Sequence, residues 1–256
     1  MGNFWDIVRG VIKASDVVLL LIDARMVEET RNVDIEKQVR EQHIPLIYTV
    51  TKSDLVAQNT LNKWRTVLNP CVFVSSTKYQ GLALLNRKIF GEASRAGIKG
   101  PKISVGVLGY PNVGKSSLVN AMTGRGCALS SNLAGFTKAK KSVTSLRGGI
   151  TFVDTPGIIP LREKDAALAK LKHAMIGAID YRTEKEPDAV VLSLLKTHPG
   201  VIEKHYKVPV QEDGEETLAS IATKRGLLRK GNTPDVKRVS TMILKHWQAG
   251  NIRQVL

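Results

Sequence analysis

The stretch from Gly109 to Ser116, Gly-Tyr-Pro-Asn-Val-Gly-Lys-Ser, fits the pattern G-x-x-x-x-G-K-[ST]. The apolar segment 103–108 before it is typical of a buried strand, and residues 116–122 after it are typical of a helix. Gly109 and Gly114 allow the backbone N–H groups of the turn to close around an anion at the N-terminus of that helix. The stretch therefore predicts a phosphate-binding loop between a strand and a helix.

Individual residues of this loop have predicted roles. Lys115 is expected to supply a positive charge to the β- and γ-phosphates of a nucleotide, and the Ser116 hydroxyl to bind Mg²⁺. The expected ligand is therefore a nucleotide in complex with Mg²⁺. The residues of the loop and of the first helical turn that are predicted to bind it are Asn112, Val113, Gly114, Lys115, Ser116 and Ser117.

A second motif, Asp-Thr-Pro-Gly at 154–157, follows the next apolar segment. Asp154 is expected to hold the Mg²⁺ ion through a water molecule, and the Gly157 N–H to sense the γ-phosphate. The Pro-Gly pair disfavours an ATPase of the kind that carries a catalytic Glu directly after this Asp. Thr137, in a basic stretch between the two motifs, is the candidate that completes Mg²⁺ coordination in the triphosphate state. The residues with predicted catalytic roles are thus Lys115, Thr137 and Gly157.

The segment Thr-Lys-Ser-Asp at 51–54 follows another apolar run and resembles a guanine-recognition motif. We call residues 51–54 the guanine reader. The Asp54 carboxylate can accept hydrogen bonds from the N1–H and 2-amino groups of guanine, which adenine does not offer. Lys52 is expected to lay its aliphatic stem across the base. One strand–helix–strand unit later, the backbone of the loop at Ser75 and Ser76 is expected to approach the guanine O6 atom.

The order of the motifs is unusual, because the guanine reader lies upstream of the phosphate loop. In an ordinary Ras-like chain it lies downstream, so this order predicts a circular permutation. Strand-like and helix-like segments alternate up to about residue 160, and only helix-like segments follow. We therefore expect an α/β fold, in which a circularly permuted Ras-like P-loop GTPase domain with a mostly parallel sheet covers 1–165. A small, all-helical, basic RNA-binding domain is expected at 166–256.

The chain has a net charge of +15 and a sequence pI near 9.9, which indicates a polyanionic partner, nucleic acid before membrane. Basic residues concentrate near the end, where Asp235 is the only acidic residue after Glu216. An ordinary solvated helix face or a general solubility charge is the alternative explanation. Trp247 in this region either stacks on a base or belongs to the core. The basic residues after Glu216 are Lys224, Arg225, Arg229, Lys230, Lys237, Arg238, Lys245 and Arg253.

The cysteines and the apolar segments indicate the cellular compartment in which the protein is expected. Cys71 and Cys127 have no disulfide-framework spacing and fit free thiols in a reducing environment. The longest apolar run, 17–22, is too short to span a bilayer, and the N-terminus lacks the features of a secretory signal. We therefore expect a soluble, cytoplasmic, monomeric protein without a membrane partner.

Taken together, these motifs resemble the circularly permuted GTPases of ribosome assembly, of the types called ribosome biogenesis GTPase A in bacteria and nucleolar GTP-binding protein in eukaryotes. The resemblance covers nearly the whole chain and includes Asp-Ala-Arg at 23–25, Arg-Asn at 31–32 and the run from 222 to 235. It implies a GTPase that binds GTP or GDP with Mg²⁺. It also implies that the C-terminal helices contact rRNA of the large ribosomal subunit.

The chain departs from this family at the base-reading motif, where Thr51 replaces the usual Asn. The amide that bonds the base and braces the phosphate loop is then missing, so we expect guanine preference to depend on Asp54 and nucleotide affinity to be weaker. Ile158 stands where many GTPases carry the Gln that orients the attacking water, so we expect slow intrinsic hydrolysis that a partner, a cation or both accelerate. Asn112 resembles the Asn that helps to bind K⁺ in potassium-dependent GTPases, although it can equally satisfy the backbone of its own loop.

The leading hypothesis is a GTP-hydrolysing switch that assists large-subunit assembly. The alternative is an RNA-binding scaffold that uses GTP as a structural ligand with negligible turnover, which Thr51 and Ile158 both permit. A GTPase that acts on another RNA or on a membrane has less support, because no amphipathic anchor is evident. In the permuted order the segment after Gly157 leads into the C-terminal helices, so a γ-phosphate-dependent shift of Gly157 would reach the RNA-binding domain.

Overall fold

The computed structural model describes residues 4–124, 141–144, 149–154 and 167–254. Thr137 and Gly157, two of the residues with predicted catalytic roles, lie outside the described residues, as does the side chain of Asp154. The chain divides into two compact units, Met1–Arg162 and Glu163–Leu256. In the described residues, strands and helices alternate in the first unit, and the second unit is helical.

The first unit is built around a mostly parallel sheet. Within the described residues this sheet has six strands in the order β3-β2-β1-β4-β6-β5, and only β5 runs antiparallel to its neighbour. The predicted α/β fold class is thereby confirmed. The strands are β1 Val17–Asp23, β2 Leu46–Thr51, β3 Cys71–Phe73, β4 Ile103–Gly109, β5 Lys141–Thr144 and β6 Ile150–Asp154.

Helices connect these strands, and one of them is broken where the sequence pattern suggests a single helix. The polar, charged composition after Asp23 predicts one helix that runs to about Gln42, but the chain forms a short helix followed by a longer one. The break falls at Asn32, because its side chain accepts a hydrogen bond from the Ile35 N–H at 3.0 Å and so caps the second helix. The described helices of this unit are α1 Phe4–Lys13, α2 Val27–Thr30, α3 Val33–Glu41, α4 Gln58–Val67, α5 Leu82–Arg95 and α6 Lys115–Thr123.

β1 lies in the middle of the sheet and is buried along its whole length. Its residues Val18, Leu20 and Ile22 alternate onto one face, where they belong to a cluster that includes Ile12 of α1. A run that is apolar on both faces is what a parallel strand covered by helices requires. This burial fixes the place of Asp23, the last residue of β1, at the carboxyl edge of the sheet.

The register of the strands brings the sequence motifs to this one edge. Asp23 at the end of β1 lies opposite Thr51 at the end of β2. Gly109 at the end of β4 lies opposite Leu21, and β6, which ends at Asp154, runs parallel to β4 on its other side. The guanine reader, the phosphate loop and the backbone of Asp154 therefore lie at the edge where parallel sheets bind their ligands.

The second unit is formed by helices in its described residues. One of them, α9, is missed by the sequence pattern because it is only six residues long; it begins directly after Gly200, which has a φ of +78°. The sequence predicts helices at 163–178, 189–196, 215–225 and 235–248, and the other described helices agree with these segments to within a few residues. The helices are α7 Ala167–Met175, α8 Pro187–Thr197, α9 Val201–Tyr206, α10 Gly214–Lys224 and α11 Val236–Gln248.

Trp247 belongs to the core of the second unit. Its side chain is fully buried, and its Nε1–H donates a hydrogen bond to the carbonyl oxygen of Met175 at 3.0 Å. Of the two roles considered for Trp247, the structure therefore supports packing within the core and not stacking on a base. Among the helices that the structure describes, none is both long enough and apolar enough to cross a membrane.

Candidate nucleotide-binding site and basic surface

The phosphate loop connects β4 to α6, and its backbone adopts the geometry that its glycines permit. Gly109 has a φ of +151°, and a Cβ atom there would lie 2.8 Å from the carbonyl oxygen of Leu21. Gly114, with a φ of +102°, precedes the first residue of α6. Asn112 also has a positive φ, +57°, which Asn tolerates better than most residues. The loop thus turns tightly against the end of β1 before the helix begins.

Lys115 is the first residue of α6, and only 6% of it is exposed. Its Nζ donates hydrogen bonds to the carbonyl oxygens of Gly109 at 3.0 Å and Tyr110 at 2.6 Å. The side chain is therefore folded back over the loop that precedes it. A buried ammonium needs partners of this kind, and a phosphate bound by the loop would add a stronger, charged one. Binding of the β- and γ-phosphates by Lys115 stays a prediction.

The structure corrects the expectation that the phosphate loop loses its brace when Thr replaces Asn at position 51. Thr51 is 2% exposed, and its hydroxyl donates a hydrogen bond to the carbonyl oxygen of Val113 at 2.6 Å. The same hydroxyl oxygen lies 3.1 Å from the carbonyl oxygen of Ile22. A short hydroxyl side chain can reach the loop because β2 and β4 flank β1 and end at the same edge. The guanine reader is thus tied to the phosphate loop.

Replacing Thr51 with Val, which keeps the shape of the side chain but removes its hydroxyl, is expected to weaken GDP binding about threefold to tenfold. The reason is that a buried hydrogen bond contributes on the order of 1 kcal/mol, and the Val113 carbonyl would lose its partner. Titration with a fluorescent GDP analogue measures the change. Thr51→Ser, which keeps the hydroxyl, serves as the control and should retain most of the affinity. Equal affinities for wild type and the Val variant would show that the brace is irrelevant to binding.

Asp54 lies in a short 3₁₀ helix, Ser53–Leu55, directly after β2. Within the part of the chain that the structure describes, no hydrogen bond or ion pair occupies its partly exposed carboxylate. The Ser53 N–H donates a hydrogen bond to the carbonyl oxygen of Val74 at 3.1 Å, which ties this segment to the end of β3. The Asp54 carboxylate is therefore held in place by its backbone and available to a ligand with two N–H groups.

The loop after β3, which is expected to approach the guanine O6 atom, is closed on itself. Ser75 is fully buried, and its backbone exchanges two hydrogen bonds of 3.0 Å with Gln80. The Ser75 hydroxyl accepts a hydrogen bond from the Lys78 N–H at 3.2 Å and lies 3.2 Å from the Thr77 hydroxyl. These contacts hold the backbone around Ser76 in a defined turn beside the guanine reader.

Lys52 is held by an ion pair that the motif itself does not reveal. Its Nζ donates a hydrogen bond to Oδ2 of Asp23 at 2.7 Å, and Nη2 of Arg25 contacts the same oxygen at 2.9 Å. Burial raises the pKa of Asp23, but the charges and hydrogen bonds of Arg25 and Lys52 outweigh it, so the pKa lies well below its usual range. The sequence analysis assigns Asp23 no role of its own, although an acidic residue at the end of a fully apolar strand is a signal that could have drawn attention to it.

The Mg²⁺ site implied by the motifs would be formed by Ser116 and Asp154. Ser116 is the second residue of α6, and Asp154 ends the strand that pairs with β4. A hydroxyl and a carboxylate provide the hard oxygen donors that Mg²⁺ prefers, so the donor set fits this ion. The third predicted ligand, Thr137, lies outside the described residues.

The eight basic residues that follow Glu216 are all exposed, as a surface for phosphate contacts requires. Some of them lie together with Lys207 of the α9–α10 connection. Nζ of Lys224 donates a hydrogen bond to the Lys207 carbonyl oxygen at 2.5 Å, and the Arg225 guanidinium lies 5.2 Å from the centre of the Tyr206 ring. Lys245 precedes His246, which lies beside Tyr206. We name Lys207, Lys224, Arg225 and Lys245 the cation cluster.

Two histidines lie beside the cation cluster and carry little charge at neutral pH. Burial lowers the pKa of His205, and His246 and Arg225 lower it further. Burial lowers the pKa of His246 in the same way, with additional effects of Lys245 and Arg225. Nδ1 of His246 lies 2.7 Å from the Tyr206 hydroxyl. The positive charge of this surface at pH 7 therefore comes from its lysines and its arginine.

The fold and the site together define a class of protein. A phosphate loop with its buried Lys, a guanine reader braced against that loop, and a parallel sheet that joins them are the parts of a P-loop GTPase domain. The order of these parts along the chain is that of a circularly permuted domain.

Comparison with known sequences agrees with this class. Residues 104–218 match the family described as 50S ribosome-binding GTPase. An uncharacterized GTP-binding protein of Methanocaldococcus jannaschii is 36% identical over 251 residues, which are 96% of this chain and 65% of that protein. Nucleolar GTP-binding protein 2 of Neurospora crassa is 33% identical over 258 residues, which are 98% of this chain and 41% of that protein. The chain thus spans 41% and 65% of the lengths of these two curated relatives.

Comparison with solved structures shows the same fold in YlqF of T. maritima. The GDP-bound form of YlqF has a TM-score of 0.68 and 18% sequence identity, with 96% of each chain covered. The GNP-bound form has a TM-score of 0.66, with 97% of this chain and 94% of that chain covered. This chain is therefore similar in sequence to GTP-binding proteins, a nucleolar one among them, and in fold to YlqF, and the resemblance stated from its motifs is confirmed.

Proposed function

We propose that this chain is a GTP-binding and GTP-hydrolysing switch that assists assembly of the large ribosomal subunit. Residues 1–165 would bind GTP or GDP with Mg²⁺, and residues 166–256 would contact rRNA. The observation that carries the proposal is the hydrogen bond from Thr51 to Val113, because it joins the guanine reader to the phosphate loop across 62 residues of sequence. A guanine nucleotide bound at this edge of the sheet would contact both motifs at once.

Two observations favour the large ribosomal subunit as the partner: the names of similar proteins and the positive charge of the second unit. The description of the matched family refers to the 50S ribosome, and one relative is named as a nucleolar protein. The exposed cations of the second unit support a partner that carries many phosphates. We therefore propose the large subunit, through its rRNA, as the partner. The cytoplasmic location and the monomeric state expected from the sequence stay predictions.

Hydrolysis would depend on groups that stabilise negative charge at the γ-phosphate. Lys115 provides such a group at the start of α6, and Mg²⁺ held by Ser116 and Asp154 would add positive charge when bound. Ile158, which lies outside the described residues, has no group that can orient a water molecule. We therefore propose slow intrinsic turnover that the large subunit accelerates, with K⁺ beside Asn112 as a further source of charge.

Turnover of GTP, measured in K⁺ buffer with and without purified large subunits, tests this function. Stimulation by the subunits, absent in Lys115→Ala, would support both the activity and the partner. Replacement of K⁺ by Na⁺ in the same assay tests the role of the cation. Turnover that stays negligible in every condition would contradict the proposal and favour the scaffold that uses GTP as a structural ligand.

Removing three charges of the cation cluster is expected to weaken binding to rRNA. In Lys224→Gln/Arg225→Gln/Lys245→Gln, the slope of log affinity against log salt should become less steep by about 2 to 3, because each lost phosphate contact accounts for about 0.9 in duplex nucleic acid and about 0.7 in single strands. Electrophoretic or filter-binding titrations of an rRNA fragment at several salt concentrations measure both the affinity and the slope.

The matched control removes the same charge from exposed lysines of the first unit, in Lys13→Gln/Lys37→Gln/Lys63→Gln. This variant should bind RNA with nearly the wild-type salt slope. If both variants lower the slope equally, binding depends only on total charge, and the cation cluster has no special role.

A further inference from the structure

We propose that Asp23 is a positioning residue for guanine binding, which acts by fixing the side chain of Lys52. The proposal rests on the proposed nucleotide-binding function and adds a residue that lies outside the guanine reader, the phosphate loop and the Asp-Thr-Pro-Gly motif. Asp23 would not touch the nucleotide itself. It would determine the direction of the aliphatic chain of Lys52, and that chain is expected to cover the base.

The contacts of the Asp23 carboxylate connect two elements of the site. Oδ2 accepts hydrogen bonds from Nζ of Lys52 at 2.7 Å and from Nη2 of Arg25 at 2.9 Å. Oδ1 accepts from Nε of Arg25 at 3.1 Å and from its backbone N–H at 3.0 Å. Arg25 therefore fixes the carboxylate, and the carboxylate then fixes the ammonium of Lys52. The exposed fraction is 2% for the Asp23 side chain and 23% for the Lys52 side chain, so only Lys52 retains access to a ligand.

The backbone holds both ends of this link. Lys52 has a φ of +54°, a left-handed conformation that a residue with a long side chain seldom adopts. It follows Thr51, whose carbonyl oxygen accepts a hydrogen bond from the Ala24 N–H at 2.9 Å. The Lys52 stem thus starts at the end of β2 and its ammonium ends at Asp23, the end of β1. It spans the same edge of the sheet that carries Asp54 and the phosphate loop.

The charges explain why a carboxylate is needed at this position. Burial lowers the pKa of Lys52 and the Asp23 charge opposes this effect, while the Arg25 charge adds to it. Both cations contact the same carboxylate oxygen, so Asp23 keeps two mutually repelling groups together. An Asn at this position would keep the shape but remove the charge. The Lys52 ammonium would then leave Arg25 and turn toward solvent, and the stem would no longer lie in a fixed direction.

A double-mutant cycle with Asp23→Asn and Lys52→Met tests the proposal, with the dissociation constant of a fluorescent GDP analogue as the readout. Each single variant is expected to weaken GDP binding by about tenfold, and the double variant should bind no more weakly than Lys52→Met alone. This non-additivity follows if Asp23 acts only through Lys52. Multiplication of the two single effects in the double variant would overturn the proposal.

Glu36 offers a matched control, because it is another buried carboxylate in an ion pair. It accepts a hydrogen bond from Nε of Arg31 at 2.7 Å and one from the Tyr48 hydroxyl at 2.8 Å, and neither partner belongs to the three nucleotide motifs. Glu36→Gln should lower the urea midpoint of unfolding and leave GDP affinity unchanged. A purely structural Asp23 would behave in the same way as Glu36, and that result would overturn the proposal.

Two further results separate this inference from the proposed function. Wild-type protein that does not bind GDP would overturn both, whereas wild-type affinity in a folded Asp23→Asn variant would overturn only the role of Asp23. If Asp23→Asn does not fold, Asp23→Glu replaces it in the cycle. This variant keeps the charge but displaces it by one methylene, so its effect should be smaller than that of Lys52→Met and should disappear in the Lys52→Met background.

Discussion

Replacing Lys115 with Met is expected to weaken GTP and GDP binding by about 100-fold or more. The Lys115 ammonium is buried against the carbonyl oxygens of Gly109 and Tyr110, where no other charged side chain of the motif can take its place. Hydrogen bonds to charged groups contribute about 1.5–3 kcal/mol each, and Lys115 would make more than one to the phosphates. Met has nearly the same length and is apolar, so the variant should fold. Isothermal titration with GDP measures the loss.

The control for this prediction is Lys13→Met, which removes a lysine charge from the exposed end of α1. It should bind GDP with wild-type affinity. A Lys115→Met variant that folds and still binds GDP within a few-fold of wild type would contradict the assignment of the phosphate loop. Circular dichroism on both variants establishes that any loss of binding is not a loss of fold.

Replacing Asp54 with Asn is expected to change the preferred base from guanine to xanthine. The Asp54 carboxylate can only accept hydrogen bonds, which suits the N1–H and 2-amino groups of guanine. An Asn amide also donates, and xanthine presents a carbonyl oxygen where guanine carries its amino group. Because a site that pairs polar groups rejects mismatched ones strongly, GDP affinity should fall about 100-fold or more while the affinity for xanthosine diphosphate rises.

Competition between the two diphosphates in one titration series measures this change of preference. Asp34→Asn, on an exposed residue of α3, is the matched control and should leave the preference for GDP intact. Loss of GDP binding without a gain for xanthosine diphosphate would show that Asp54 contributes to folding or to charge and does not read the base.

The elements that the sequence predicts best are those with a strong local pattern. The apolar run of β1 and the glycine-rich turn at 109–114 each constrain the backbone directly, so both could be placed without the structure. α9 could not, because six residues of mixed composition carry no periodic signal and depend on packing within the second unit. The sequence does not predict the break between α2 and α3 for a different reason. The composition is helical throughout, and the capping of the second helix by Asn32 competes with it.

The site illustrates the same difference between local and long-range information. The roles of Lys115 and Asp54 follow from motifs whose spacing is local. The brace from Thr51 to Val113 and the ion pair of Lys52 with Asp23 join strands that are distant in sequence, and their pairing depends on the register of β1, β2 and β4. The motif alone therefore predicts that replacing Asn with Thr at position 51 removes the brace of the phosphate loop. The register of the strands shows instead that the Thr51 hydroxyl reaches the loop.

We propose that the nucleotide controls association with RNA, and that a γ-phosphate-dependent shift of Gly157 is the path by which it does so. A Gly157→Ala variant tests that path, since it should keep GDP binding but bind large subunits equally with either nucleotide. Retained nucleotide dependence in this variant would exclude Gly157 as the coupling residue.

The most direct measurement is co-sedimentation of the wild-type chain with purified large ribosomal subunits, in the presence of GDP or of a non-hydrolysable GTP analogue. We expect the two nucleotides to give clearly different bound fractions at the same salt concentration. Equal binding with GDP, with the analogue and without nucleotide would contradict the switch and leave an RNA-binding scaffold in its place.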